Sequence, residues 1–548
     1  MYHIPHQLSG NCTKLFFNDY LIMAEFALCL SGGGYRAAMF HLGVMTYLNE
    51  IRSTDGSRLL DHVHTITSIS GGALPGLLYV VGEKEGKNRI DTFKTLYRQL
   101  KDNNLGEKLV KRFNEESPKG TSLIKVLADV YDDIFFHGEL FKDILEFVSW
   151  DGFHHFAADA TDFELGRPFR FQATPEINDP DRSEVCGLVG NWLHRISRDD
   201  AKNIRLADIM AATSCFPLVF EPIVYPDDFK GGVTKGEISG TSFLLMDGGL
   251  VDNHGIDPVI HAKEHLSHMD RDIETYILSD AVNVNNERNR ENESKSTSVS
   301  PNCIKRCLLI LGFVFLFLGG FFLMRIPLLA GAFLTLGFFC FVLKFLLSKF
   351  VDWAFRQIEK GIGFEIKYKD FLWKSNCKSI KRFLLTRVGT VYKMVDIIMM
   401  GNLKKNSIRN LTNEAETNDK VVLNTLPLFC KGDKWKKILR KGYMGEKFLA
   451  PSRKIQKNTG KANGMSTTLW FTANELKQGL PKVVLACGQY TVCWNLLQQA
   501  RKIRITFSEN PEQMNEAQKL LVELEPLLQS DWKRFNQNPF YKTQTYIV

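Results

Sequence analysis

The sequence predicts an α/β fold with a mainly parallel central sheet, interrupted by a two-helix transmembrane hairpin. Two observations carry this. A short apolar strand, a glycine-rich turn and a helical pattern follow one another twice between residues 25 and 82, as they do where parallel strands hand over to crossover helices. Later, two uncharged runs, Cys307–Met324 and Ile326–Leu343, flank a single charge at Arg325. Each would be about 27 Å long as a helix, close to the ~30 Å thickness of bilayer hydrocarbon.

Taken in order, residues 1–23 form an N-terminal segment without a basic stretch leading into an apolar core, so no secretory signal is expected. Residues 24–281 read as the first part of the α/β domain. "EFALCL" is a strand that stops at Ser31-Gly32-Gly33-Gly34, and "YRAAMFHLGVMTYLNEI" has helical spacing. "HVHTITSIS" is a second strand and "GALPGLLYVV" its helix. "RPFRFQAT" and "TSFLLMDGG" are further strands, and "LADIMAATSCFPL" is a helix expected to end at Pro217.

Residues 282–303 are polar and aperiodic, a linker. The hairpin occupies 304–349, with Pro327 suited to a first helical turn and basic residues at both outer ends: Lys305, Arg306, Lys344 and Lys349. That bias is expected to place both ends, and the domain they interrupt, on the cytoplasmic side of an integral membrane protein with two spans. A buried core hairpin is the competing reading. Residues 350–500 read as a second part of the domain, containing a helical stretch over 379–405 and a basic segment at 431–461. That basic segment is either a solvated face or a surface lying against anionic headgroups. Residues 501–548 form a helical extension, with Asn510 expected as a helix cap and Pro511 in the first turn.

Composition narrows the function. The 548 residues are 44% hydrophobic, enough for a large core, and 69 basic against 61 acidic side chains leave a net charge of only +8. No nucleic-acid partner is expected from so small an excess. The 11 cysteines include no Cys-x-x-Cys pair, which argues against a zinc site or a disulfide framework and for a reducing compartment.

Three glycine-flanked points can be assembled into one site. Gly32-Gly33-Gly34 lies between strand and helix, where bare backbone amides approach an anion closely, so it is a candidate oxyanion hole. Arg36 would add positive charge or hold the loop. The same residues fit the weak G-x-G-x-x-A dinucleotide fingerprint, and alone they do not choose between the two. Ser68-Ile69-Ser70-Gly71-Gly72 is a G-x-S-x-G nucleophile elbow with Ser68 in place of the first glycine. Asp247-Gly248-Gly249 ends a strand; its carboxylate is either a base for the serine or a turn cap.

Together these residues resemble the patatin-like phospholipases, whose pattern is a Gly-rich oxyanion loop, a G-x-S-x-G serine and a D-G-A/G aspartate in that order. "ADATDFELGRPFRF", "AATSCFPLVFEP" and, after the hairpin, "STTLWFTANELKQGLPKVVLACGQYTV" add to the likeness, which spans roughly residues 24–500. The resemblance implies the patatin-like three-layer fold. It also implies a Ser-Asp dyad of Ser70 and Asp247, amides of Gly32 to Gly34 as the oxyanion hole, and motif glycines Gly72, Gly248 and Gly249. Neither metal nor organic cofactor is implied, and membrane phospholipid is the expected substrate. A catalytically inactive membrane scaffold is the alternative, supported by Ser68. His41 and His254 are expected to be structural, and Cys215 a small buried residue.

Overall fold

The computed structural model describes residues 24–116, 122–176, 189–217, 219–230, 242–268, 271–281, 301–362, 420–430, 435–436 and 449–547, with isolated residues between 403 and 411. The N-terminal segment, most of the 282–303 linker, nearly all of the 379–405 stretch and most of the 431–448 basic run lie outside these residues.

Among the described residues the core is a mixed sheet of ten strands. They are β1 (Phe26–Leu30), β2 (Val63–Ile69), β3 (His155–Asp162), β4 (Arg167–Ala173), β5 (Val189–Gly190), β6 (Arg195–Ile196), β7 (Ile223–Tyr225), β8 (Phe243–Asp247), β9 (Thr275–Asp280) and β10 (Val421–Thr425). The central run β10-β9-β1-β2-β3 is parallel throughout, and from β3 outward the pairing turns antiparallel. β1 reads FALCL with every residue buried, the continuous apolar run of a strand covered on both faces. On one face Gly76 of helix α2 (Ala73–Lys84) packs near Leu30, Ile66 and Phe156. On the other, the Ile256–Ser267 helix closes over Ala27, Cys29, Tyr276 and Leu278. Helix, sheet and helix make three layers, the fold class expected from the sequence.

β10 follows the hairpin in the chain yet pairs in parallel with β9, which precedes it. The chain therefore leaves the sheet between two neighbouring strands and returns to complete it. The returning part also supplies the Leu480–Thr506 helix, one continuous element that crosses position 500. It packs on the buried helix α1 (Gly34–Glu50). Their backbones touch: a methyl group at Gly43 would collide with the Leu485 carbonyl, and one at Gly488 with the Phe40 carbonyl.

Two local expectations are corrected. The Leu206–Thr213 helix stops well before Pro217, because proline denies a backbone donor and bars helical geometry to its predecessor, so the chain has turned by Ser214. Asn510 precedes only a single turn at Pro511–Gln513; the long Glu516–Gln537 helix is capped by Asn515, in a reciprocal pair with Gln518.

The chain divides into two compact units, with residues 287–397 forming the second. In it, helices Pro301–Phe322 and Pro327–Ile362 form an antiparallel hairpin, the second running past the expected limit of 349. Within them Ile304–Phe322 and Pro327–Lys349 are long and apolar enough to cross a membrane. The two helices meet at small residues: a Cβ on Gly312 would press on the Phe341 ring, and one on Gly337 on Leu316.

Candidate active site

Ser70 follows directly on β2 and adopts φ +49, a left-handed conformation that a non-glycine residue takes only under constraint. The constraint is local crowding. A Cβ on Gly71 would strike the Gly34 carbonyl, and one on Gly72 the carbonyls of Leu30 and Ser31, so only glycine fits on that side of the serine. The Ser70 amide donates to Thr213 Oγ1 at 2.9 Å, and the Thr213 hydroxyl donates in turn to the Asp159 carbonyl. Ser68, where the motif has glycine, is buried and donates to the Ala157 carbonyl at 2.9 Å. Its hydroxyl is satisfied within the sheet.

β3 brings the aspartate to the serine. β2 and β8 both lie on the edge of β3 opposite β4: Ile69 pairs with Asp159, and Asp247 pairs with Ala160, the next residue. β2 runs parallel to β3 and β8 antiparallel, so their C-terminal ends meet head to head at these consecutive positions. Gly248 permits the meeting, since a Cβ there would collide with the Asp159 carbonyl. Asp247 is buried, and its Oδ1 accepts from the Gly249 amide at 2.8 Å. The Asp247 amide donates to Cys215 O at 2.9 Å, and Thr161 Oγ1 donates to Asp247 O at 2.8 Å. The backbone of Asp247 is thus held on both sides, and its carboxylate by the Gly249 amide.

The glycine loop faces the same point. A Cβ on Gly32 would lie 3.3 Å from Ser70 Cβ. The Gly32 amide donates to Asn253 O at 3.2 Å, so this member of the expected oxyanion trio is already engaged. Gly33 and Gly34 carry φ +141 and +59, and the N-terminus of α1 begins here. Behind the loop stands chain from beyond the hairpin. Tyr35 N donates to Thr468 O at 2.8 Å, and Arg36 Nη1 donates to Met465 O at 2.8 Å. Arg36 therefore ties the loop to the returning segment.

His41 bridges Ser279 Oγ and the Ser31 carbonyl, both at 2.9 Å, and burial lowers its pKa to about 4, so it is neutral. His254 is buried against Asp280, 3.3 Å away. Cys215 is fully buried, donates to Glu221 O, and has its thiol pKa pushed up by burial. Asp159 is fully buried with neither carboxylate oxygen hydrogen-bonded, and desolvation drives its pKa well above the usual carboxylate range. The sequence reading missed Thr213, Asn253, Met465 and Thr468, which position the elbow and the loop. Thr213 lies inside the quoted "AATSCFP" stretch, the one signal that pointed to it.

Among the described residues, Glu25, His64 and His154 are the group able to offer metal ligands, within 4.8 Å of one another. They sit at the N-terminal ends of the strands, away from Ser70. Arg271 Nη1 already lies 3.0 Å from His154 Nε2, supplying the positive charge a cation would bring.

None of the curated proteins compared with the chain matches it. The model of the patatin-like phospholipase family matches residues 28–260. That span takes in the glycine loop, the serine elbow and the aspartate turn, and ends before the hairpin. Residues 28–260 are therefore a patatin-like phospholipase domain, of the kind found in lipid acyl hydrolases.

Proposed function

We propose that the chain is a membrane-anchored serine acyl hydrolase of the phospholipase A or lysophospholipase type. The observation that most supports this reading is the head-to-head meeting of β2 and β8 against Asp159 and Ala160, at the strand ends that lead into Ser70 and carry Asp247.

In the reaction, Ser70 Oγ attacks the acyl carbonyl carbon while its proton passes to the Asp247 carboxylate. The amides of Gly33 and Gly34, at the positive end of α1, receive the oxyanion, and Gly32 serves as the bare wall that lets the carbonyl approach. Collapse of the tetrahedral intermediate breaks the ester C–O bond, and Asp247 returns its proton to the leaving alcohol. Water, deprotonated by Asp247, then attacks the acyl-enzyme and releases the fatty acid. The Gly249 amide on Asp247 Oδ1 supports this assignment by holding the carboxylate in one orientation. The hairpin serves as the anchor, with both outer ends and the catalytic domain on the cytoplasmic side, as the basic flanks indicate.

A fluorophosphonate probe, which captures activated serines, tests the assignment. Labelling that maps to Ser70 and vanishes in Ser70→Ala supports it; an unlabelled, folded parent protein points to the inactive scaffold.

A further inference from the structure

β3 outruns β2. Its pairing with β2 ends at Asp159 opposite Ile69, yet the strand continues to Asp162, and the Phe163 amide then bonds the Leu244 carbonyl at 2.8 Å. Because β2 and β3 are parallel, Phe163 emerges from the end of the sheet at which Ser70 sits. It lies about 10 Å beyond Ala160 at ~3.3 Å per residue.

A second element is fastened to the same place. The turn between β5 and β6 is clamped by Asp162, whose Oδ2 accepts from Asn191 Nδ2 at 2.9 Å and from His194 Nδ1 at 2.6 Å. The His194 ring also stacks on Phe243, with centroids 4.8 Å apart. Fixed at both shoulders, the turn still holds its two middle residues out: Trp192 is 67% and Leu193 60% exposed, and neighbouring Phe163 is 51% exposed. Single exposed apolar residues are ordinary, but a rigidly presented group of them beside a site is not. Arg195 completes the group. Its guanidinium lies 5.0 Å from the Trp192 ring centroid, and its Nε donates to Trp192 O at 3.0 Å.

We propose that Phe163, Trp192 and Leu193, with Arg195 behind them, are the surface by which the catalytic domain docks on a phospholipid leaflet. The inference rests on the acyl hydrolase reading and adds where the enzyme meets its substrate. Leu193 and Phe163 enter the acyl region, Trp192 lies at headgroup depth, and Arg195 meets lipid phosphate. A leaflet fits better than a protein partner because of position. The group stands at the end of the sheet where Ser70 sits, and a leaflet is the phase from which the substrate comes.

The test uses the full-length protein in phosphatidylcholine/phosphatidylglycerol vesicles, comparing the parent with Trp192→Ser/Leu193→Ser. Two substrates are followed: vesicle phospholipid and a water-soluble short-chain p-nitrophenyl ester. Docking predicts that the double variant keeps soluble-ester turnover within about twofold and loses vesicle hydrolysis about tenfold, a difference of roughly 1.4 kcal/mol. An environment-sensitive fluorophore on Trp192→Cys, read against the parent labelled identically, should be quenched by brominated lipid. An unquenched label with unchanged vesicle hydrolysis overturns the proposal, as does an unquenched label in a concentration-dependent dimer. A parent that cleaves neither substrate defeats the hydrolase reading, while the quenching result still decides the docking surface.

Discussion

The amide of Ser70 is hydrogen-bonded to the side chain of Thr213, 2.9 Å away and 143 residues later in the chain. Because the Thr213 hydroxyl donates its own hydrogen bond to the Asp159 carbonyl, it fastens the left-handed serine to β3, the strand with which Asp247 pairs. Replacing it with valine keeps the shape and deletes both bonds. Thr213→Val should slow fluorophosphonate labelling and ester hydrolysis by about 10- to 100-fold, equivalent to ~1.4–2.7 kcal/mol. Thr213→Ser should retain most of the rate, and labelling kinetics on folded protein check both.

A methyl group at Gly71 would fall on the Gly34 carbonyl, between the elbow and the glycine loop. Gly71→Ala should therefore abolish labelling of Ser70. Gly460, in the Arg453–Asn463 helix, has nothing within 4 Å of the corresponding position. Gly460→Ala should leave activity unchanged and stabilise the protein by about 0.5–1 kcal/mol, read from the thermal midpoint.

The crossing of α1 with the Leu480–Thr506 helix depends on Gly43 and Gly488. The only relief for a side chain there is separation of two backbones that carry the glycine loop on one side and the returning chain on the other. Gly488→Ala should cost about 3 kcal/mol, the upper end for overpacking, with a clear drop in thermal midpoint even though the residue touches no candidate site residue.

The buried histidines predict acid lability. Burial lowers the pKa of His41 and His64 to about 4 and of His155 to about 3, against an ordinary value of 6.5. Between pH 6.5 and 4 the unfolded chain takes up protons that the folded chain refuses, so stability is full above pH 6.5 and falls as the pH drops. Each such histidine contributes a slope of up to about 1.4 kcal/mol per pH unit. His155 has neither ring nitrogen hydrogen-bonded, so His155→Phe should reduce the slope by one proton without loss at pH 7. Denaturant midpoints across this range measure it.

Much of the site was legible because it is written locally. Ser70 and Asp247 each end an apolar strand and are followed by glycines, and the Gly32-Gly33-Gly34 loop joins a strand to a helix, patterns that need only neighbouring residues. What holds them is long-range. Arg36 bonds the carbonyl of Met465, 429 residues away, and Thr213 reaches the elbow across the sheet. β10 was missed because "VVLNT" is short and lies far from the strand it joins. The engagement of the Gly32 amide by Asn253 depends on a loop whose path no spacing rule gives.

If the proposed mechanism holds, Ser70 and Asp247 act as one dyad on membrane lipid. The most direct measurement is fatty acid release from mixed phospholipid vesicles by the purified protein, beside Ser70→Ala and Asp247→Ala. Release by the parent and loss of at least a thousandfold in each variant, about 4 kcal/mol of transition-state stabilisation, are expected. Release that survives in Asp247→Ala, or its absence from a folded, vesicle-bound parent, would contradict it.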